Sequence, residues 1–220
     1  MGLPDSLRLI VITDRELAKP RSVDEVVDEV LRAGVRAIQL RDKTASARAL
    51  LDQALRLRER TRKWGALFFI NDRFDVALAA EADGVHLGPD DLPVETVREA
   101  APPGFLIGAS TDDPEIAKQV EAAGADYIGC GTVFLTTTKT EAGGVIGVEG
   151  LARVVAAVNI PVLVIGGVTP ERARRIAGES GAAGVAVIAA VMAAKDPGKA
   201  ARKLLKPFGE GLGASPGGVA

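Results

Sequence analysis

Short apolar runs recur eight times along this chain, and after each comes a polar loop and then an amphipathic stretch with helical spacing. Runs of this length, apolar on both faces, read as strands of a buried parallel sheet, and the stretches between them as crossover helices. The strands fall near Leu7–Thr13, Ala37–Arg41, Leu67–Asn71, Gly84–Leu87, Phe105–Ala109, Tyr127–Gly129, Val162–Ile165 and Gly184–Ile188. The helices fall near Val23–Ala33, Ser46–Lys63, Arg73–Ala80, Pro93–Ala100, Pro114–Ala123, Val148–Val158, Pro170–Ala177 and Pro197–Leu205. An open doubly wound sheet would carry five or six strands and a Gly-rich first turn. Eight units with no early GxGxxG predict an α/β fold, a single (β/α)8 TIM barrel over residues 1–208. The Gly-rich polar tail, residues 209–220, is expected to be disordered and to carry no chemistry.

Composition agrees with that architecture. Apolar residues make up 47% of the 220 and aromatics only 4%, so the core must be built from Ala, Val, Ile and Leu. A formal net charge of −2 gives no nucleic-acid footprint, and any anion affinity must come from local cations. The lone Cys130 excludes an intramolecular disulfide framework and fits a reducing compartment. The N-terminus lacks a cationic start followed by a long apolar run, so no signal peptide is expected. No apolar run approaches the roughly 20 residues of a membrane span. The expectation is a soluble cytoplasmic protein with small-molecule partners, no nucleic acid and no membrane; homo-oligomerisation is left open.

One device repeats at the helix ends. RAGVRAIQL, EADGVHL, EAAGADYIG and ESGAAGVAV each place Gly or Asp-Gly between a helix and the next strand, where glycine would supply a left-handed stop. Ser22, Thr111–Asp113 and Thr169–Pro170 suit helix starts.

In such a barrel, chemistry sits just past the strands' carboxyl ends, and unusual polar residues collect there. Strand two runs into Gln39-Leu40-Arg41-Asp42-Lys43, whose alternation sends Gln39, Arg41 and Lys43 to one side, where two cations could hold a diphosphate; a solvated strand end is the plainer alternative. Asn71-Asp72 after strand three could cap a helix, and Asp90-Asp91 after strand four could favour a helix dipole. Together they put carboxylates on adjacent loops, where oxygen ligands could hold Mg2+ against a diphosphate. His86, the only histidine, lies inside a strand-like run and fits a packed or hydrogen-bonded role better than catalysis. Strand five ends at Ser110. Strand six leads to Thr136, Thr137, Thr138 and Lys139, followed by Gly143-Gly144, a set suited to anionic oxygens and to loop closure. Gly166-Gly167 after strand seven and Ile188-Ala189 after strand eight suit a phosphate held by backbone N–H groups.

Taken together, these segments resemble the thiamine-phosphate synthase (thiamine-phosphate pyrophosphorylase) family. The matching pieces are Ile12–Asp14, Gln39–Lys43, Asn71–Ala77, Ala82–Asp91, Ile107–Ser110, Gly124–Lys139, Pro161–Val168 and Gly184–Val191, in order and at family-like spacing. The resemblance implies condensation of 4-amino-5-hydroxymethyl-2-methylpyrimidine diphosphate with a thiazole phosphate, giving thiamine phosphate and diphosphate. It implies that Gln39, Arg41, Lys43, Asn71, Ser110 and Lys139 hold the pyrimidine diphosphate, with Arg41, Lys43 and Lys139 neutralising its departing charge. It implies Asp72 and Asp91 as Mg2+ ligands, and Thr136, Thr138, Gly167 and the backbone at Ile188–Ala189 as the thiazole-phosphate site. A dissociative displacement of this kind needs cations on the leaving group and two substrates held close, and no side-chain nucleophile.

The sequence departs from the family pattern at Thr132 and Leu135, where prolines are usual, at Gly88-Pro89 in place of GQ, and at Ala189 in place of serine. Two competing readings share the barrel. A thiazole tautomerase would typically carry histidine where Thr132 stands, with its metal and diphosphate residues decayed. A non-catalytic phosphate-binding barrel would have no reason to retain Asp72, Asp91 and the cations.

Overall fold

The structure, a computed structural model, describes residues 2–134 and 144–209. Its sheet contains β1 (Leu9–Ile12), β2 (Ala37–Leu40), β3 (Leu67–Asn71), β4 (Gly84–Leu87), β5 (Leu106–Ser110), β6 (Tyr127–Cys130), β7 (Val162–Ile165) and β8 (Gly184–Val187). These close into a barrel in chain order, every pair parallel, with Leu9 of β1 level with Val185 of β8. Closure leaves no sheet edge, and helical crossovers between successive strands complete a (β/α)8 barrel as expected.

Burial on both sides explains the apolar strands. Every residue of β1, β2, β4, β6 and β8 is buried, because one set fills the barrel and the alternate set meets the helices. On the outside, Val26, Val27, Val30 and Leu31 of the helix Val23–Arg32 are all 0% exposed. The predicted major helices are all present, with ends shifted by a residue or two. The short helices Leu3–Ser6 and Arg15–Ala18, and the 3-10 turn Lys206–Phe208, were not anticipated. Single turns are too short for periodicity to register.

Helix starts follow the predicted caps. Ser22 and Glu25 form a capping box, Asp113 accepts from the N–H groups of Glu115 and Ile116, and Thr169 accepts from Arg172 N. Gly34, Gly124 and Gly181 take positive φ and stop their helices as expected. The EADG segment does not. There the left-handed residue is Glu81, at φ 49°, while Gly84 is a strand residue. A Cβ at Gly84 would lie 2.2 Å from the carbonyl oxygen of Leu106, so glycine there serves the close approach of β4 to β5.

The amino-terminal end of the barrel carries a repeated clamp. Asp83, just before β4, accepts from Phe68 N at 2.7 Å and pairs with Arg58 at 2.7 and 2.9 Å. Asp126, just before β6, accepts from Ile107 N at 2.7 Å and pairs with Arg98 at 2.6 Å. Each carboxylate thus binds a helix to two strands on the face away from the strand ends, where barrels concentrate stability.

Candidate active site

The carboxyl ends of β2, β3 and β4 bring a cationic and an anionic cluster face to face. Thr13 Oγ1 accepts from Arg41 N at 3.0 Å and donates to Arg41 O at 3.4 Å, fixing the chain as it leaves β2. Asp42 then accepts from the amides of Thr44 and Ala45, both at 3.0 Å, and so turns the segment. Lys43 Nζ comes within 3.7 Å of Asp72 Oδ2 across the gap to the next loop.

Asp72 stands at φ 64°, a left-handed conformation that Asp tolerates better than most residues, and its amide donates to His86 O at 2.8 Å. Neither Asn71 nor Asp72 caps the following helix: its N-cap is Arg73, with no side-chain capping bond. Asp91 is likewise not a first-turn acid, because the next helix begins at Val94. Its Oδ2 accepts instead from Gly88 N at 2.7 Å, which turns the carboxylate back toward the strand end. Asp90 is exposed.

Burial raises the Asp72 carboxyl above the ordinary aspartate range, and hydrogen bonding to and repulsion from Asp91 push it further; Lys43 and Arg41 oppose the rise. Two carboxylates brought together this way suit a small hard cation. Among the described residues no group of three or more His, Cys, Asp or Glu could hold a metal. A pair suffices for Mg2+, which commonly takes one or two carboxylates and completes its shell with water and substrate phosphates.

Deeper in the mouth, β2, β4, β5 and β6 share a polar network. Gln39, 3% exposed, hydrogen-bonds the phenol of Tyr127. His86 reaches Tyr127 Oη with Nδ1 at 3.1 Å and Ser110 Oγ with Nε2 at 2.8 Å. Tyr127 is fully buried, and burial pushes its phenol well above the ordinary range. The hydrogen-bonded histidine agrees with the plainer expectation for His86. Tyr127 itself was missed: in the sequence it is one more large residue in an apolar run.

Across the mouth, β6 and β7 approach closely. A Cβ on Gly131 would lie 2.0 Å from Ile165 O, and one on Gly166 would lie 3.2 Å from Thr132 Cα. Gly166 and Gly167 both have left-handed φ, 98° and 63°, which only glycine adopts freely. Arg172 donates from its guanidinium to Gly167 O and lies 4.7 Å from the centre of the Phe134 ring, joining the loops after β6 and β7. Sequence reasoning missed this residue, since an arginine in a helix's first turn looks like a solvated charge. Past β8, Val191 and Met192 donate to Ile188 O, so a short helix starts at Ala189 with its first amides at the strand end. Thr136, Thr138 and Lys139, with Thr137 and Gly143, lie outside the described residues, as does the expected tail from residue 210 onward. Cys130 is buried, with its thiol pushed up to about 12 by that burial, which removes the thiolate a nucleophile would need.

Fold and mouth define the class: a (β/α)8-barrel enzyme with its polar residues gathered at the carboxyl ends of the strands. Residues 9–191 match the family model described as thiamine monophosphate synthase. Thiamine-phosphate synthase from Pyrococcus furiosus is 49% identical over 213 residues, which cover 97% of this chain and 100% of that protein. The enzyme of the same name from Archaeoglobus fulgidus is 48% identical over 93% of this chain and 94% of its own. The solved structure of thiamine phosphate pyrophosphorylase from Pyrococcus furiosus superposes with a TM-score of 0.86 at 47% identity, covering 96% of this chain and 100% of that one. A 3-hexulose-6-phosphate synthase superposes at 0.67 with 19% identity over 91% of this chain and 99% of its own, a likeness of fold alone. The chain belongs to the thiamine-phosphate synthase family, enzymes that transfer a pyrimidinylmethyl group. Among the described residues no helix is long and apolar enough to cross a membrane.

Proposed function

We propose that this enzyme joins 4-amino-5-hydroxymethyl-2-methylpyrimidine diphosphate to a thiazole phosphate, with the diphosphate held near β2–β4 and the monophosphate near β6–β8. The observation that carries this reading is the facing pair Asp72 and Asp91, with Lys43 3.7 Å from Asp72 and Arg41 close enough to influence it. Cations beside paired carboxylates are what a metal-bound diphosphate needs.

In this reading Gln39, Asn71 and Ser110 orient the pyrimidine diphosphate, while Arg41, Lys43 and Lys139 take up the charge that develops on the departing diphosphate. Asp72 and Asp91 hold Mg2+, which when bound neutralises the leaving group further. Loss of diphosphate leaves a cationic pyrimidine methylene, and the thiazole nitrogen attacks it. Thr136, Thr138, Gly167 and the amides at Ile188–Ala189 hold the thiazole phosphate so that this nitrogen faces the methylene. Ala189 offers no hydroxyl, so its share is made through the backbone. The substrates are small cytoplasmic metabolites, and neither nucleic acid nor membrane takes part.

The test is to incubate the purified protein with both substrates and Mg2+ and to follow thiamine phosphate and diphosphate. Product is expected, and chelation is expected to stop it. Asp72→Ala and Asp91→Ala should abolish turnover while leaving the circular-dichroism spectrum unchanged. Full turnover by both variants would refute the metal assignment, and tautomerisation of the thiazole in place of condensation would overturn the reaction.

A further inference from the structure

The network under the mouth is built around two missing side chains. A Cβ on Gly108 would stand 2.2 Å from Tyr127 Cζ and 2.5 Å from its Oη, and one on Gly129 would stand 3.0 Å from His86 Cε1. Glycines in β5 and β6 therefore leave space for the two rings, whose centroids lie 5.5 Å apart. Phe69 packs against Tyr127 in turn, with the two ring centroids 5.4 Å apart and their planes at 69°. A buried ring pair held this closely has little freedom, so the atoms at its ends are fixed in space.

The order of protons along the network follows from its end groups. Burial keeps the Tyr127 phenol protonated at neutral pH, and the amide of Gln39 can donate to its Oη, which leaves the phenol's own proton free. The phenol's own proton then goes to its other neighbour, His86 Nδ1, 3.1 Å away. An imidazole whose Nδ1 accepts is neutral and carries its proton on Nε2. Nε2–H then donates to Ser110 Oγ at 2.8 Å. Ser110 accepts on its buried side, and its own proton is left to face the mouth.

We propose that His86, set by Tyr127 and Gln39, is a positioning residue that holds Ser110 as a hydrogen-bond donor toward the pyrimidine diphosphate. The inference rests on the assignment of Ser110 to that substrate. His86 touches neither substrate; it decides which way the serine hydroxyl points. A serine free to rotate would present a lone pair to the substrate as readily as a proton.

The chain holds one histidine, so 15N labelling of histidine reports this ring alone. In the ligand-free enzyme at neutral pH, Nε2 should show the shift of a protonated nitrogen and Nδ1 that of an unprotonated one. The reverse tautomer, or two protonated nitrogens, would overturn the proposal whatever the activity. Tyr127→Phe keeps the ring and removes Oη; it should mix the tautomers and raise KM for the pyrimidine diphosphate about tenfold, the size of one lost buried hydrogen bond. KM for the thiazole phosphate should not move. His86→Gln, which keeps an N–H near the position of Nε2, should recover most of the affinity lost in His86→Ala. Equal losses on both substrates, or no recovery by glutamine, would reduce His86 to a packing role and refute the inference. Ser110→Ala separates this from the underlying assignment. If Ser110→Ala leaves KM for the pyrimidine diphosphate unchanged, the assignment of Ser110 fails; if it raises KM while Tyr127→Phe does not, only the positioning role fails.

Discussion

Replacing Asp126 with alanine should unfold this barrel more easily without touching its chemistry. The carboxylate accepts from Ile107 N at 2.7 Å and from Arg98 at 2.6 Å, and Ile107 is 0% exposed. Alanine leaves that amide buried without its side-chain acceptor, at a cost of about 2 kcal/mol. The ion pair adds less, because the side chains of Arg98 and Asp126 are 33% and 30% exposed and water screens them; about 1 kcal/mol is appropriate. Arg98 also keeps its bonds to Phe105 O and Gly124 O. A total near 3 kcal/mol lowers Tm by about 6–12 °C in a domain of this size. Asp126→Asn keeps an acceptor for Ile107 N and loses only the charge, so its Tm should fall by about 2–4 °C. Differential scanning calorimetry of the three proteins measures both shifts. Steady-state kcat/KM at 25 °C should be unchanged in each, since Asp126 lies at the opposite end of the barrel from the site. Equal Tm shifts for Ala and Asn would show that the buried amide carries no such cost. A loss of kcat/KM in well-folded Asp126→Asn would refute the division of the barrel into a stabilising end and a reactive end.

Three other outcomes follow from the same geometry. Asp72 has a raised pKa in the fold, so its ionisation costs stability at neutral pH, and that cost vanishes as pH falls through the folded value toward the unfolded one near 4. Metal-free Asp72→Asn should therefore melt above the parent at pH 7, with the gap closing toward about pH 4; a gap independent of pH in thermal melts would contradict the repulsion from Asp91. Arg172→Ala cuts the link between Phe134 and Gly167 and should raise KM for the thiazole phosphate about tenfold, leaving KM for the pyrimidine diphosphate alone; initial-rate kinetics with each substrate varied decides it. Gly131→Ala puts a Cβ 2.0 Å from Ile165 O, and either β6 or β7 must move. Its Tm should fall by several degrees, and an unchanged melting curve would show that the two loops yield freely.

Much of this protein was legible in its sequence because local chemistry dictated it. Aliphatic runs buried on both faces could only be strands of a covered parallel sheet, and eight of them with helices between implied closure. Ser22, Asp113 and Thr169 cap their helices through bonds spanning two or three residues, a range the sequence displays directly. Arg41, Lys43, Asp72 and Asp91 stand just past their strands, so the barrel rule alone placed them on one face. What the tertiary structure decided were the relations between distant segments. Gly84 reads as a helix stop, yet it is required by Leu106 of the neighbouring strand, and no local pattern carries that fact. Tyr127 and His86 lie in different apolar runs, and only the folded barrel brings Tyr127 against one end of the imidazole and Ser110 against the other, with Gly108 and Gly129 making the room. Asp72 and Asp91 each look like an ordinary helix-start acid until two loops bring their carboxylates together. Position along a strand is a local property and can be read from sequence; contact across a barrel is set by register and shear, which only the folded chain supplies.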